Sequence, residues 1–262
     1  IGLGGMLIAQ RAFASISGGL SGLARAAVAW SQVAQIVSDV ADPDDRPPFA
    51  VAQPQDLPAS GPLLEAHGLT FRYDPAAEPV IRGADISIGR SDRILLEGAS
   101  GGGKSTLAAL ITGLRAPQAG FMLLDGLDRH TLGADWGRCI AVAPQFHQNH
   151  ILSGPLAFNL LMGRQWPPSP ADLADARAVC DELGLGELID RMPAGLLQPV
   201  GETGWQLSHG ERSRIFLARA LLQGADLTVL DESFAALDPE TLEQCLRTTL
   251  ARARALMVIA HP

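Results

Sequence analysis

The sequence predicts an α/β fold, a largely parallel sheet covered by helices on both faces. Two observations lead there. From Leu63 onward, short apolar runs alternate with longer segments of helical periodicity, the order that parallel strands and their crossover helices require. A glycine-rich turn, Gly98 to Gly103, joins an apolar strand pattern directly to an apolar helix pattern. The chain of 262 residues, 47% apolar and 18% charged, is long enough for one packed domain plus extra segments.

Residues 1–40 differ from the rest. The first 38 are rich in Gly, Ala, Leu and Ser, contain Arg11 and Arg25, and have no acidic residue before Asp39. Leu20, Leu23, Ala27, Trp30, Ala34 and Val37 recur at helical steps. The opening apolar run is about half the ~20 residues a bilayer crossing needs. Two readings stay open: the end of a membrane helix, or an amphipathic helix packed on a soluble domain. No basic leader or cleavage pattern marks a signal peptide. Residues 41–62 form a linker, because Pro43, Pro47, Pro48, Pro54, Pro58 and Pro62 forbid continuous helix or ladder pairing.

The domain over 63–262 then reads in order. Strands are expected at Leu63–Tyr73, Ala84–Ile88, Arg93–Glu97, Phe121–Leu124, Cys139–Ala143, Leu227–Leu230 and Leu256–Ala260. Helices are expected at Lys104–Leu114, Pro170–Leu183, Gly210–Gln223 and Pro239–Ala251. A net charge of −8 argues against nonspecific nucleic-acid binding, which needs a basic surface. Cys139, Cys180 and Cys245 are too few and too dispersed for a disulfide framework or a zinc site, and they suit a reducing compartment.

The stretch Gly98, Ala99, Ser100, Gly101, Gly102, Gly103, Lys104, Ser105, Thr106 has the P-loop spacing and the strand–loop–helix context that gives the spacing meaning. Glycines let successive N–H groups curl inward around phosphate oxygens where a Cβ would obstruct. The helix N-terminus adds its dipole. Lys104 is expected to bridge β- and γ-phosphates, and the Ser105 hydroxyl to ligate Mg²⁺. Far downstream, Leu227–Leu230 leads into Asp231 and Glu232. A buried strand delivers such a pair to the crevice where open α/β sheets bind ligands. Asp231 is expected to hold Mg²⁺ through water and Glu232 to polarise an attacking water.

Between these sites lies Leu207-Ser208-His209-Gly210-Glu211, followed by a helix ending in Ala218-Arg219-Ala220-Leu221-Leu222. This resembles the signature motif of ATP-binding cassette (ABC) proteins. The resemblance is strong over 63–262, moderate over 1–38, and implies a P-loop NTPase core with a helical subdomain over about 146–222. It implies ATP and Mg²⁺ as ligands and a second cassette, identical or different, whose Ser208 and Gly210 would close this chain's site. By the same resemblance Tyr73 would stack on adenine, Gln145 would reach Mg²⁺, Asp238 would lie at the cassette interface, and His261 would contact the γ-phosphate. Two departures stand out: His209 replaces the usual Gly, Glu211 the usual Gln. The chain also stops one residue after His261, so both ends read as cut from something longer.

Val200-Gly201-Glu202-Thr203-Gly204 resembles the loop by which exporter cassettes touch their membrane helices. Residues 1–40 then resemble the end of a last transmembrane helix fused ahead of the cassette. The expectation is an exporter in the inner or plasma membrane, its cassette on the cytoplasmic side and no nucleic acid among its partners. A non-transport ABC ATPase acting as a nucleotide-gated clamp, or an inactive regulatory cassette, remains the alternative.

Overall fold

The computed structural model describes residues 61–260. The expected membrane-domain segment (1–40), the linker as far as residue 60, and His261 lie outside the described residues. In chain order the strands are β1 (Leu64–Phe71), β2 (Ile81–Ile88), β3 (Arg93–Leu96), β4 (Ala119–Leu124), β5 (Leu127–Asp128), β6 (Ile140–Ala143), β7 (Gly154–Pro155), β8 (Pro199–Val200), β9 (Leu227–Asp231) and β10 (Ala255–Ile259). The α-helices are α1 (Lys104–Ile111), α2 (Arg129–Leu132), α3 (Trp136–Cys139), α4 (Leu156–Leu160), α5 (Pro170–Glu182), α6 (Gly186–Arg191), α7 (His209–Leu222) and α8 (Pro239–Arg252). Among the described residues, no helix is long and apolar enough to cross a membrane.

The expectation of one largely parallel sheet needs correction, because the strands divide between two main sheets. β3, β10, β9 and β6 form a parallel sheet in that order, while β2, β1, β4 and β5 form an antiparallel one. Burial explains the division. All five residues of β9 are buried, as befits a central strand covered on both faces, whereas β2 is mostly exposed between its two buried ends. Periodicity sets which residues are covered but not which way a strand runs.

Three of the four long helices begin where a capping side chain places them. Ser169 and Ser208 close capping boxes at α5 and α7, and Asp238 accepts from the Thr241 N–H at the start of α8. Helix α1 ends at Ile111, short of the expected Leu114, because Gly113 turns left-handed (φ 75°) and the buried Trp136 indole donates to Ile111 O at 3.0 Å. Two apolar cores result. One gathers Leu69, Leu107, Ile111, Trp136, Val229 and Met257 between the antiparallel sheet, α1 and one face of the parallel sheet. The other surrounds α7, where Ile215, Leu217 and Leu222 meet α4–α6 and the opposite sheet face through Leu230 and Leu256.

Register aligns the C-terminal ends of the parallel strands. Leu96 pairs with Ile259, Ile259 with Asp231, and Ala143 with Leu230. The glycine loop after β3, the acid pair closing β9, Gln145 after β6 and Ala260 after β10 therefore leave the sheet along one edge.

Candidate active site

The loop between β3 and α1 folds onto itself. Gly101 and Gly103 are left-handed (φ 78° and 84°), and the Gly102 N–H donates to Ala99 O. A Cβ on Gly103 would stand 2.9 Å from Ile81 Cδ1 and 3.2 Å from Val80 O, so glycine is required there by conformation and by space. Lys104 is buried, and its ammonium donates to Gly98 O at 2.7 Å and Ala99 O at 3.0 Å. Gly103 caps α1 without any side-chain bond, and no acidic residue occupies the first turn. The amino end of α1 thus keeps its dipole and orphan N–H groups for an anion.

At the end of β9, Asp231 is 4% exposed, and its Oδ1 has no hydrogen-bond partner. Burial pushes its carboxyl up from the ordinary carboxylate range, opposed by a bond from the Ser105 hydroxyl and reinforced by the neighbouring Glu232 charge. Alternation along a strand would turn Glu232 away from Asp231. Instead Glu232 adopts φ 52°, its N–H bonding Ile259 O at 3.0 Å. That strained turn re-aims the side chain, so Gln145 Nε2 donates to Glu232 Oε1 at 2.8 Å and to Ser105 Oγ at 3.2 Å. Gln145 thereby joins the loop, the acid pair and β6.

Tyr73, Val80, the loop from Ser100 to Thr106, Gln145 and Glu232 line one cavity of about 270 Å³. The Tyr73 hydroxyl meets Thr106 Oγ1 at 3.0 Å while the ring stays largely exposed. The groups gathered here suit Mg²⁺: the orphaned Asp231 oxygen beside Glu232, the Ser105 hydroxyl and the Gln145 amide would supply part of a hard-cation shell and leave the remainder to a substrate's phosphates. Among the described residues, no cluster of three or more His, Cys, Asp or Glu could hold a metal ion.

Ser208, Gly210 and Asp238 do not line this cavity. Ser208 caps α7, accepting from Glu211 N at 3.2 Å and donating its own N–H to Glu211 Oε2 at 2.7 Å. A Cβ on Gly210 would come within 3.8 Å of Ala236 O, beside the segment that follows Glu232. His209 stacks on Phe146 at 4.7 Å and 21°, and Phe146 leans on Phe216. The thiol pKa values of Cys139 and Cys245 are pushed up to about 11, and that of Cys180 to about 12, chiefly by burial, so none is a ready nucleophile.

The family model described as ABC transporter matches residues 81–235, more than half of the chain. The chain belongs to the ABC transporter family. A lipid A-core flippase of Chromobacterium violaceum is 33% identical over 90% of this chain and 39% of its own length. The mycobactin import ATP-binding/permease protein IrtB of Mycolicibacterium thermoresistibile is 35% identical over 79% of this chain and 35% of its own. Among solved structures, a bacterial Atm1-family ABC exporter with ATP bound superposes with TM-score 0.69 at 28% identity, covering 78% of this chain and 35% of that one. The cassette therefore spans little more than a third of these relatives.

Tyr73, the loop from Ser100 to Thr106, Gln145 and Glu232 share one cavity, with Asp231 closing the strand just before Glu232, while Ser208, Gly210 and Asp238 do not line it. Sequence reasoning missed Phe146 and Val80. Phe146 adjoins Gln145, but nothing in its own residue type marked it; Val80 is signalled only by its place just before β2. Glu202 is exposed in a loop whose Gly201 and Gly204 run against backbone, where a Cβ would stand 2.8 Å from Ser153 Cα and 2.5 Å from Pro199 O respectively.

Proposed function

We propose that this chain is the Mg²⁺-dependent ATP-hydrolysing cassette of an exporter-type ABC transporter. The single observation that carries the reading is the shared cavity, where an aromatic ring, a phosphate loop with its lysine, and a carboxylate held by Gln145 converge. Tyr73 stacks on the base. The P-loop N–H groups and Lys104 hold the phosphates. Ser105, Gln145 and Asp231 would hold Mg²⁺, which when bound neutralises phosphate oxygens. Glu232 orients the attacking water and accepts its proton.

Because Ser208 and Gly210 lie away from this cavity, they serve the site of a second cassette, and that cassette's equivalents close this one. Asp238 sits at the interface between the two. His261 is the residue that contacts the γ-phosphate. Residues 146–222 form a helical subdomain, residues 41–62 a linker, and residues 1–40 the end of a membrane helix. The assembly lies in the inner or plasma membrane with the cassette on the cytoplasmic side. The relatives' names include both a lipid flippase and an importer, so the cargo and its direction are read in the membrane domain.

Replacing Glu232 by Gln keeps the shape and the amide contact while removing the base. In the full-length parent in lipid, Mg²⁺-dependent turnover is expected to fall by a factor of about 10² or more with ATP affinity retained. Unchanged turnover would remove Glu232 from its role. A wild type that binds ATP tightly without turning it over would favour the regulatory-cassette reading.

A further inference from the structure

Tyr73 is held by more than its hydroxyl. Phe71 meets its ring edge-on at 5.1 Å and 88°, and the Arg115 guanidinium lies over that ring, 4.8 Å from its centroid and 5.8 Å from that of Phe71. The segment carrying Arg115 is fixed at both sides. The Arg115 N–H donates to Ala109 O in α1, and three residues on, Gln118 bonds the main chain of Arg72 in both directions, at 2.7 and 2.8 Å. Arg72 adjoins Tyr73, so the base of the ring and the arginine above it share one set of anchors. Helix α1 is the common frame: Thr106 in its first turn bonds the phenol, and Arg115 follows its C-terminus.

Tyr73 lines the P-loop cavity, whereas Arg115 does not. We propose that Arg115 is a positioning residue for the nucleotide base, its guanidinium backing the Tyr73 face turned away from the cavity and holding the ring as a platform for a purine on the other face. The planar cation matches the aromatic face and draws on its quadrupole, which leaves the free face better suited to an electron-rich base. Phosphate loop and base platform are thus both anchored to α1. This rests on reading the cavity as a nucleotide site.

The test compares ATP with inorganic tripolyphosphate, which has the phosphates and no base, by calorimetry on the full chain. Arg115→Ala is expected to weaken ATP about two- to five-fold and leave tripolyphosphate unchanged. Arg115→Lys is expected to fall between, keeping charge but losing the planar stack. In a Tyr73→Ala background, Arg115→Ala should add nothing for ATP. Equal weakening of both ligands would make Arg115 a phosphate-attracting charge, and tighter ATP binding would place the guanidinium in competition with the base; either overturns the proposal, as does unchanged ATP affinity. A wild type that binds tripolyphosphate as tightly as ATP would instead sink the base-binding reading of the cavity, and this proposal with it.

Discussion

Asp231 is a buried carboxyl at the candidate site, and the cost of charging it has a sign. Burial raises its pKa, so in acid the native state keeps a proton that the unfolded chain releases near the ordinary 3.8. Stability therefore falls as pH rises above that value, because bonds from Ser105 and Gln145 and the Lys104 charge only partly offset the burial of the carboxylate. A divalent cation beside it would remove the penalty. Asp231→Asn is accordingly expected to raise the melting temperature of the nucleotide-free cassette at pH 7 and to abolish the extra shift that Mg²⁺ adds to ATP. Thermal unfolding with ATP in Mg²⁺ or in EDTA checks both, and a lowered melting temperature without nucleotide would contradict the assignment. Gly103 answers to backbone conformation instead. Gly103→Ala places a Cβ against Ile81 and Val80 at φ 84°, with an expected loss of about 1–3 kcal/mol in urea unfolding together with weaker ATP binding.

At the scale of the element, Ser208, the N-cap of α7, has a capping role and a proposed role across the cassette dimer. Ser208 closes a capping box with Glu211, which explains why Glu is accommodated where the family commonly has Gln: its carboxylate accepts from the Ser208 N–H and pairs with Arg191 at 3.4 Å. His209, the other departure, projects from the helix start and stacks on Phe146. Capping and the proposed contact across the cassette dimer separate by substitution. Ser208→Ala is expected to cost about 1 kcal/mol of stability and Ser208→Gly only a few tenths, while both remove the hydroxyl and slow hydrolysis alike. Urea unfolding beside ATPase rates tests this. If the glycine variant kept full turnover, the hydroxyl would have only its capping role.

Across the whole molecule, arginines bind α5 to its neighbours at the sheet end opposite the P-loop. Arg252 of α8 grips both oxygens of Glu182 at 2.6 Å, and Arg164 reaches Asp172 at 3.0 Å and Asp175 at 2.7 Å while donating to Leu222 O. The Arg252 bonds hold the Glu182 pKa below its ordinary 4.5. A depressed carboxylate stabilises above its unfolded pKa, and that share is lost as pH falls through the lower, native value. Asp172, held low by Ser169 and Arg164, and Asp190, held low by Arg177, act in the same direction. Denaturant midpoints are expected to drop below about pH 4.5, with a shallower drop in Arg252→Met, which costs about 0.5–1 kcal/mol at neutral pH because the pair is only partly shielded. An unchanged acid slope in that variant would show that the pair is not the source.

The sequence by itself determined whatever rests on local chemistry. The P-loop, the Asp231–Glu232 pair and the four long helices were legible to within a few residues, because glycine conformation, capping side chains and apolar periodicity act over one or two turns of chain. Helices α4 and α6 were not, being too short to show a period. The tertiary structure alone decided that β1, β2, β4 and β5 form a separate antiparallel sheet, since strand direction is fixed by pairing with distant partners. It alone placed Gln145 on Glu232 and Ser105, and Tyr73 on Thr106, and set Ser208 and Gly210 away from their own chain's phosphate loop. Those neighbours are chosen by sheet order and by which core each helix covers, and neither quantity is written in any local stretch of residues.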